Sequence, residues 1–246
     1  MSTPPADVGH RQVHATGAGR QRGQPSSRSH AGTQGFHQSL PETRPTHLEP
    51  ANERLAAAAR ASGGRLAALG RVDPLNRRAA QAEARRCLDE LGCVGLFLHP
   101  GEESFPVAAA RHVLEVAAER RAPVVVATGW FALSEPLQVA QAAADVPDLP
   151  VVLTNGGQIN ISGLSMADAW LALTSHGNLL VMTNGTYRQD FIERLASELG
   201  PERVLYASCA PVFDPVFEQK RIRSASLTDE ARPAVEGGNA ARLFHL

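Results

Sequence analysis

Residues 149–157, LPVVLTNGG, decide how the fold of this chain is read. Leu149 and Val151–Leu153 are apolar on both alternating faces, as in a strand covered on both sides. Thr154, Asn155, Gly156 and Gly157 follow without a charge, and Gln158, Asn160 and Ser162 prolong the neutral polar run. Polar groups at the carboxyl end of such a strand stand where α/β folds hold their ligands.

Short apolar runs of the same kind begin at Leu66 (LAALGRV), Val94 (VGLFLH), Val124 (VVVAT), Val151 (VVLT), Leu179 (LLVMT) and Val204 (VLYA). Helical patterns lie between them. Asn76 is placed to cap a helix that carries Ala80, Ala84, Cys87, Leu88 and Leu91 on one face and stops at Gly92. Ser165 and Asp168 predict a capping box before Trp170 and Leu173; Phe191, Leu195 and Leu199 mark a further helix stopped by Gly200. Spacings of roughly 25–30 residues suit one strand plus one crossover helix. The pattern is six βα units, compatible with an open doubly wound sheet or with part of a closed (β/α)8 barrel. DPLN after the first run is no glycine-rich phosphate fingerprint, which weighs against a dinucleotide fold. The expected strand ends carry Asp73, His99, Thr128, Trp130, Asn155, Gln158, Thr183, Asn184, Ser208 and Cys209.

The bulk numbers exclude several classes. The 246 residues are 43% hydrophobic with a formal net charge of −1, so no basic field argues for nucleic acid. Lys220 is the single lysine. Cys87, Cys93 and Cys209 have neither metal spacing nor an even count. No signal-peptide pattern opens the chain and no apolar run suits a membrane span, so the expected location is cytoplasmic. Asn160-Ile161-Ser162 and Asn184-Gly185-Thr186 match the glycosylation pattern, without chemical meaning in that setting. Residues 1–50 are rich in Gly, Ser, Pro, Gln, Arg and His and show no apolar period. They read as a disordered, low-complexity segment, with His10, His14, His30, His37 and His47 as a solvated tail in preference to a metal cluster. Residues 51–246 read as the folded domain.

APVVVATG (122–129), PDLPVVLTNGG (147–157), NLLVMTNGTY (178–187), RVLYASCAP (203–211) and GGNAARLF (237–244) resemble, in order, the last four strands and terminal helix of amidohydrolase-related barrels. That group comprises metal-dependent hydrolases and decarboxylases. The resemblance implies a (β/α)8 TIM-barrel-type fold, here incomplete, and a hydrolase ancestry. It also implies metal ligands that this chain lacks. Ala127 stands where the fifth strand of the family ends in histidine. Thr154-Asn155-Gly156-Gly157 replaces His-x-Gly-Gly, and Ala207-Ser208-Cys209-Ala210-Pro211 replaces Gly-Ser-Asp-x-Pro. No His-x-His strand is assigned, to His10 and His14 or elsewhere.

The functional expectation is therefore a family member without metal or other cofactor, whose pocket for a small neutral polar ligand is built by Thr128, Trp130, Thr154, Asn155, Gln158, Asn160, Asn184, Ser208 and Cys209. The alternative is an inactive barrel relic or interaction protein whose polar groups only satisfy one another. Third comes a metal-dependent hydrolase with Asp73, His99 and Cys209 as replacement ligands. Those three residues are also the catalytic candidates. Cys209 would be a nucleophile with no histidine placed to activate it, and His99 could pair with Glu102 or Glu103, although a loop histidine beside solvated glutamates is the plainer reading. Asp73 suits a turn. Trp130 and Phe131 form either a ligand wall or a lid, and Arg188 after Tyr187 reads as solvated. Two missing strands would leave a gap between Leu66–Val72 and Val204–Ala207, with open edges that favour self-association.

Overall fold

The computed structural model describes residues 11–12, 34–37, 48–157, 163–186 and 188–246. Gln158, Asn160, Tyr187, His10, His14, His30 and His47 lie outside them, as does the side chain of His37. The described strands form one parallel sheet in chain order. It comprises β1 (Arg11–Gln12), β2 (Gln34–His37), β3 (Leu66–Arg71), β4 (Gly95–Leu98), β5 (Val124–Val126), β6 (Val151–Leu153), β7 (Leu179–Met182) and β8 (Val204–Leu205). The six strands expected from the sequence are β3 to β8, and the architecture is the expected α/β barrel type. The strandless reading of residues 1–50 is corrected at β1 and β2. Gly35 pairs with Leu66 and His37 with Ala68, so β3 is not a sheet edge. Strands this short carry almost no local signal, and their conformation comes from the ladder they join.

Alternation sorts the strand residues into two cores. Leu96, Leu98, Val124, Val126, Val151, Leu153, Val181 and Val204 face outward onto the helices. Leu69, Phe97, Val125, Val152, Met182 and Leu205 face inward and pack together across the sheet with Ala240 and Phe244. The last two belong to α10 (Asn239–Leu243) and the residue after it, which plug the end where the strands begin. Around the sheet lie α1 (Leu48–Ala61), α2 (Arg77–Arg85), α3 (Pro100–Glu103), α4 (Arg111–Glu119), α5 (Pro136–Ala144), α6 (Gly163–Ser175), α7 (Gln189–Glu198), α8 (Pro215–Arg223) and α9 (Ala231–Pro233). Asn76 caps α2 as expected, accepting from Ala79 N at 3.3 Å. Ser165 is not a cap, because α6 already starts at Gly163. No described helix is long and apolar enough to cross a membrane.

The far side of β8 is covered rather than open. Tyr206 N donates to Val235 O at 2.9 Å, and Asn239 Nδ2 donates to Val204 O at 2.8 Å and Pro201 O at 2.7 Å. Segment 234–238 touches both β8 and β1 and so stands between the two ends of the sheet. The backbone groups that edge-to-edge self-association would recruit at these positions of β8 already have partners. A fully buried asparagine can supply two donors to neighbouring carbonyls, which apolar periodicity does not reveal.

Candidate functional site

Two residues beyond the inward layer, alternation brings Arg71, His99, Ala127, Thr154, Asn184 and Ala207 to the inner rim of the strand ends, with Cys209 in the loop that follows β8. This rim divides into a neutral half and a charged half.

On the neutral half the side chains bond one another. Thr154 Oγ1 accepts from Thr128 N at 3.1 Å and from Asn155 Nδ2 at 3.3 Å, which occupies both of its lone pairs. Asn184 Nδ2 donates to Asn155 Oδ1 at 2.7 Å. Thr128 Oγ1 donates to Val126 O at 2.8 Å, and Thr183 Oγ1 accepts from Ala207 N at 3.2 Å. Ser208 is buried. Asn155 holds a left-handed backbone at φ 55°, which asparagine tolerates. Gly156 and Gly157 follow at φ 62° and 84°, and a Cβ on either would fall within 3 Å of Thr186 Oγ1 or of the Ala169 methyl. The glycine pair thus permits a close turn against α6 and the β7 loop.

The charged half centres on Arg71, which is 1% exposed and which sequence reasoning passed over. Its guanidinium pairs with Glu102 and Glu103 of α3. Its backbone is clamped by Asn52 of α1, whose Oδ1 accepts from Arg71 N at 2.9 Å and whose Nδ2 donates to Arg71 O at 2.8 Å. The available signal was a lone arginine two places after Leu69 in an otherwise apolar run, hence on the inner face. Burial pushes the Glu103 carboxyl up to about 7 against the pull of Arg71, and Glu103 Oε2 finds no hydrogen-bond partner among the described residues. His99 Nδ1 accepts from Glu102 N at 3.1 Å and so caps α3, while Nε2 lies 3.5 Å from Glu102 Oε1. Burial pushes the imidazole down to about 4, so it is neutral at pH 7 with its proton on Nε2. Phe97, His99 and Trp130 line up with successive ring centroids 5.7 Å apart. Trp130 is 38% exposed and Phe131 86%. The Trp130 ring lies directly on Gly101, where no Cβ would fit.

Asp73 and Arg188 separate from this rim, and Cys209 stands at it without an activating partner. Asp73 makes the turn expected of it, its Oδ1 accepting from Leu75 N at 3.0 Å, and it lines a groove between α1 and α2. Burial pushes the Cys209 thiol up to about 11, which leaves it protonated at neutral pH. Arg188 pairs with Asp190 at the surface. Asp73, His99 and Cys209 do not form a metal-holding group, and no set of three His, Cys, Asp or Glu among the described residues does.

The chain matches the family model described as amidohydrolase over residues 28–246, a span that includes β2. No curated protein matches it. Among solved structures it is similar to 2,6-dihydroxybenzoate decarboxylase from Rhizobium, at a TM-score of 0.76 and 15% identity over 96% of this chain and 98% of that one. An uncharacterized TIM-barrel protein from Bordetella bronchiseptica gives 0.72 and 22% over 87% and 79%. A 5-carboxyvanillate decarboxylase from Novosphingobium aromaticivorans, complexed with manganese, gives 0.69 and 16% over 87% and 76%. At these identities the likeness establishes the fold.

Proposed function

The chain belongs to the amidohydrolase family, and on that premise we propose that it is a member working without the family's divalent metal, whose strand-end rim holds a small neutral polar molecule. The observation that carries this is the donor chemistry of the rim. Ala127 offers a methyl group, Thr154 Oγ1 is already accepting two hydrogen bonds, and Cys209 belongs to no group of three metal-binding side chains among the described residues. A divalent ion needs several converging imidazole, carboxylate or thiolate donors, and these described residues do not fit one.

The ligand's chemistry follows from charge and shape. Two of the similar proteins are named for action on hydroxylated aromatic acids. Here Arg71 already faces two carboxylates, so the rim favours an uncharged ring over an acid. The His99–Trp130 pair, backed by Phe97, supplies an aromatic surface of mutually tilted rings, and the Asn155–Asn184 pair supplies amide groups that can exchange partners. Phenols and aromatic amides suit this combination.

Melting of the full chain with neutral phenols, the matching benzoates, and manganese or zinc tests the reading, since a ligand of the folded state raises its stability. We expect a rise with a neutral phenol and none with metal. Stoichiometric metal by elemental analysis, together with metal-dependent melting, would sink it. A second reading, the inactive relic, is favoured by one observation: the neutral half of the rim satisfies itself. Absence of any ligand response would select that reading.

A further inference from the structure

Cys87 and Cys93 are distant in role from the rim and close to each other. Cys87 lies near the start of the helical turn Arg86–Glu90 that follows α2, and Cys93 follows the Gly92 turn at φ 74°. Cys93 N donates to Cys87 O at 3.0 Å. Standard bond lengths on either side of that contact keep the two Cα atoms within about 7 Å, inside the reach of a disulfide. Cys87 is fixed in place: a Cβ on Gly70 of β3 would fall 2.5 Å from its Cβ and 2.7 Å from its sulfur. Its Sγ also lies 3.5 Å from Glu83 Oε1, a proton acceptor. Cys93 sits near Arg60 and Arg86, and Arg60 Nη1 donates to Leu91 O at 3.2 Å beside it.

We propose that Cys87 and Cys93 form an intrachain thiol/disulfide site that takes hydrogen peroxide as its oxidant. The Arg86 and Arg60 guanidinium groups favour the thiolate at Cys93, whereas burial and the adjacent Glu83 carboxylate, toward which its S–H points, hold Cys87 protonated. The Cys93 sulfur attacks a peroxide oxygen; an S–O bond forms, the O–O bond breaks, and hydroxide leaves to take up a proton as water. Cys87, passing its proton toward Glu83, then attacks the Cys93 sulfur. The S–S bond forms, the S–O bond breaks, and the second oxygen leaves as water. Two thiols and one peroxide give one disulfide and two waters, with the sulfurs losing the two electrons that the peroxide gains. Glu83 Oε1 also accepts from Asn52 Nδ2 at 2.8 Å, and Asn52 clamps Arg71, so loss of the Cys87 contact alters a buried chain of bonds that ends at the rim.

The test is peroxide titration of the full reduced chain, followed by alkylation and mass mapping. Three free thiols should fall to one, Cys209. The tryptic fragment 87–111 should be lighter by two hydrogens, and cleavage after Glu90 should give two pieces that separate only on reduction. In Cys87→Ser, Cys93 should be trapped by dimedone as the sulfenic acid; in Cys93→Ser, Cys87 should stay alkylatable. Full alkylation of all three thiols after peroxide, a sulfenic acid trapped at Cys87, or a link through Cys209 in place of the 87–93 link would overturn the proposal. The wild-type map decides even where a serine variant does not fold.

Discussion

Asn184 Nδ2 donates to Asn155 Oδ1 at 2.7 Å while Asn155 N donates to Asn184 Oδ1 at 3.4 Å, so the ends of β6 and β7 are tied by a reciprocal asparagine pair. Asn184 is almost fully buried. Asn184→Ala therefore leaves the half-buried Asn155 Oδ1 without its donor and should lower stability by about 1–3 kcal/mol. The double change Asn155→Ala with Asn184→Ala should cost less than the sum, by at least about 0.5 kcal/mol. Strict additivity in urea unfolding would show that the pair contributes nothing jointly.

The charged half of the rim has an opposed pH dependence. Glu103 is pushed up from 4.5 to about 7, so between those values the native state binds more protons than the unfolded chain, and this group makes stability fall as pH rises. His99 is pushed down from 6.5 to about 4, so between 4 and 6.5 the unfolded chain binds more protons, and this group makes stability rise with pH. The slopes oppose each other from 4.5 to 6.5. Glu103→Gln removes one of them, and its melting temperature should climb more steeply than that of wild type over that window. Parallel profiles for the two proteins would refute the assignment.

Gly101→Ala places a methyl group against the Trp130 ring. The ring must move outward, at about 1–3 kcal/mol if the backbone resists. In a Trp170→Phe background the remaining indole emission should shift to the red. An unchanged spectrum would mean that Trp130 is not seated on α3 in solution.

Asn239→Ala removes the side-chain bond to Val204 O on the edge of β8 and a second one to Pro201 O just before it, and should cost about 2–4 kcal/mol. It also frees the Val204 carbonyl for another chain, so sedimentation should show more association than wild type at equal concentration. Lower stability with unchanged association would confine Asn239 to packing.

The sequence by itself determined β3 to β8, because each is an apolar run bounded by turn residues, and period and length alone identify such runs. Ala127 can donate to no metal in any fold, and that much needs no coordinates. Tertiary structure decided what periodicity cannot encode. β1 and β2 are too short to declare themselves and are strands only by pairing onward to β3. Arg71 drew no notice within the run LAALGRV, and only the fold sets it inward against two carboxylates. Asn239 closes an edge 35 residues away from it in sequence, and Cys87 meets Cys93 only because the helix overruns its last turn before Gly92 reverses the chain. Local patterns report what a segment buries; which polar groups meet depends on distances between segments, and those exist only once the barrel is folded.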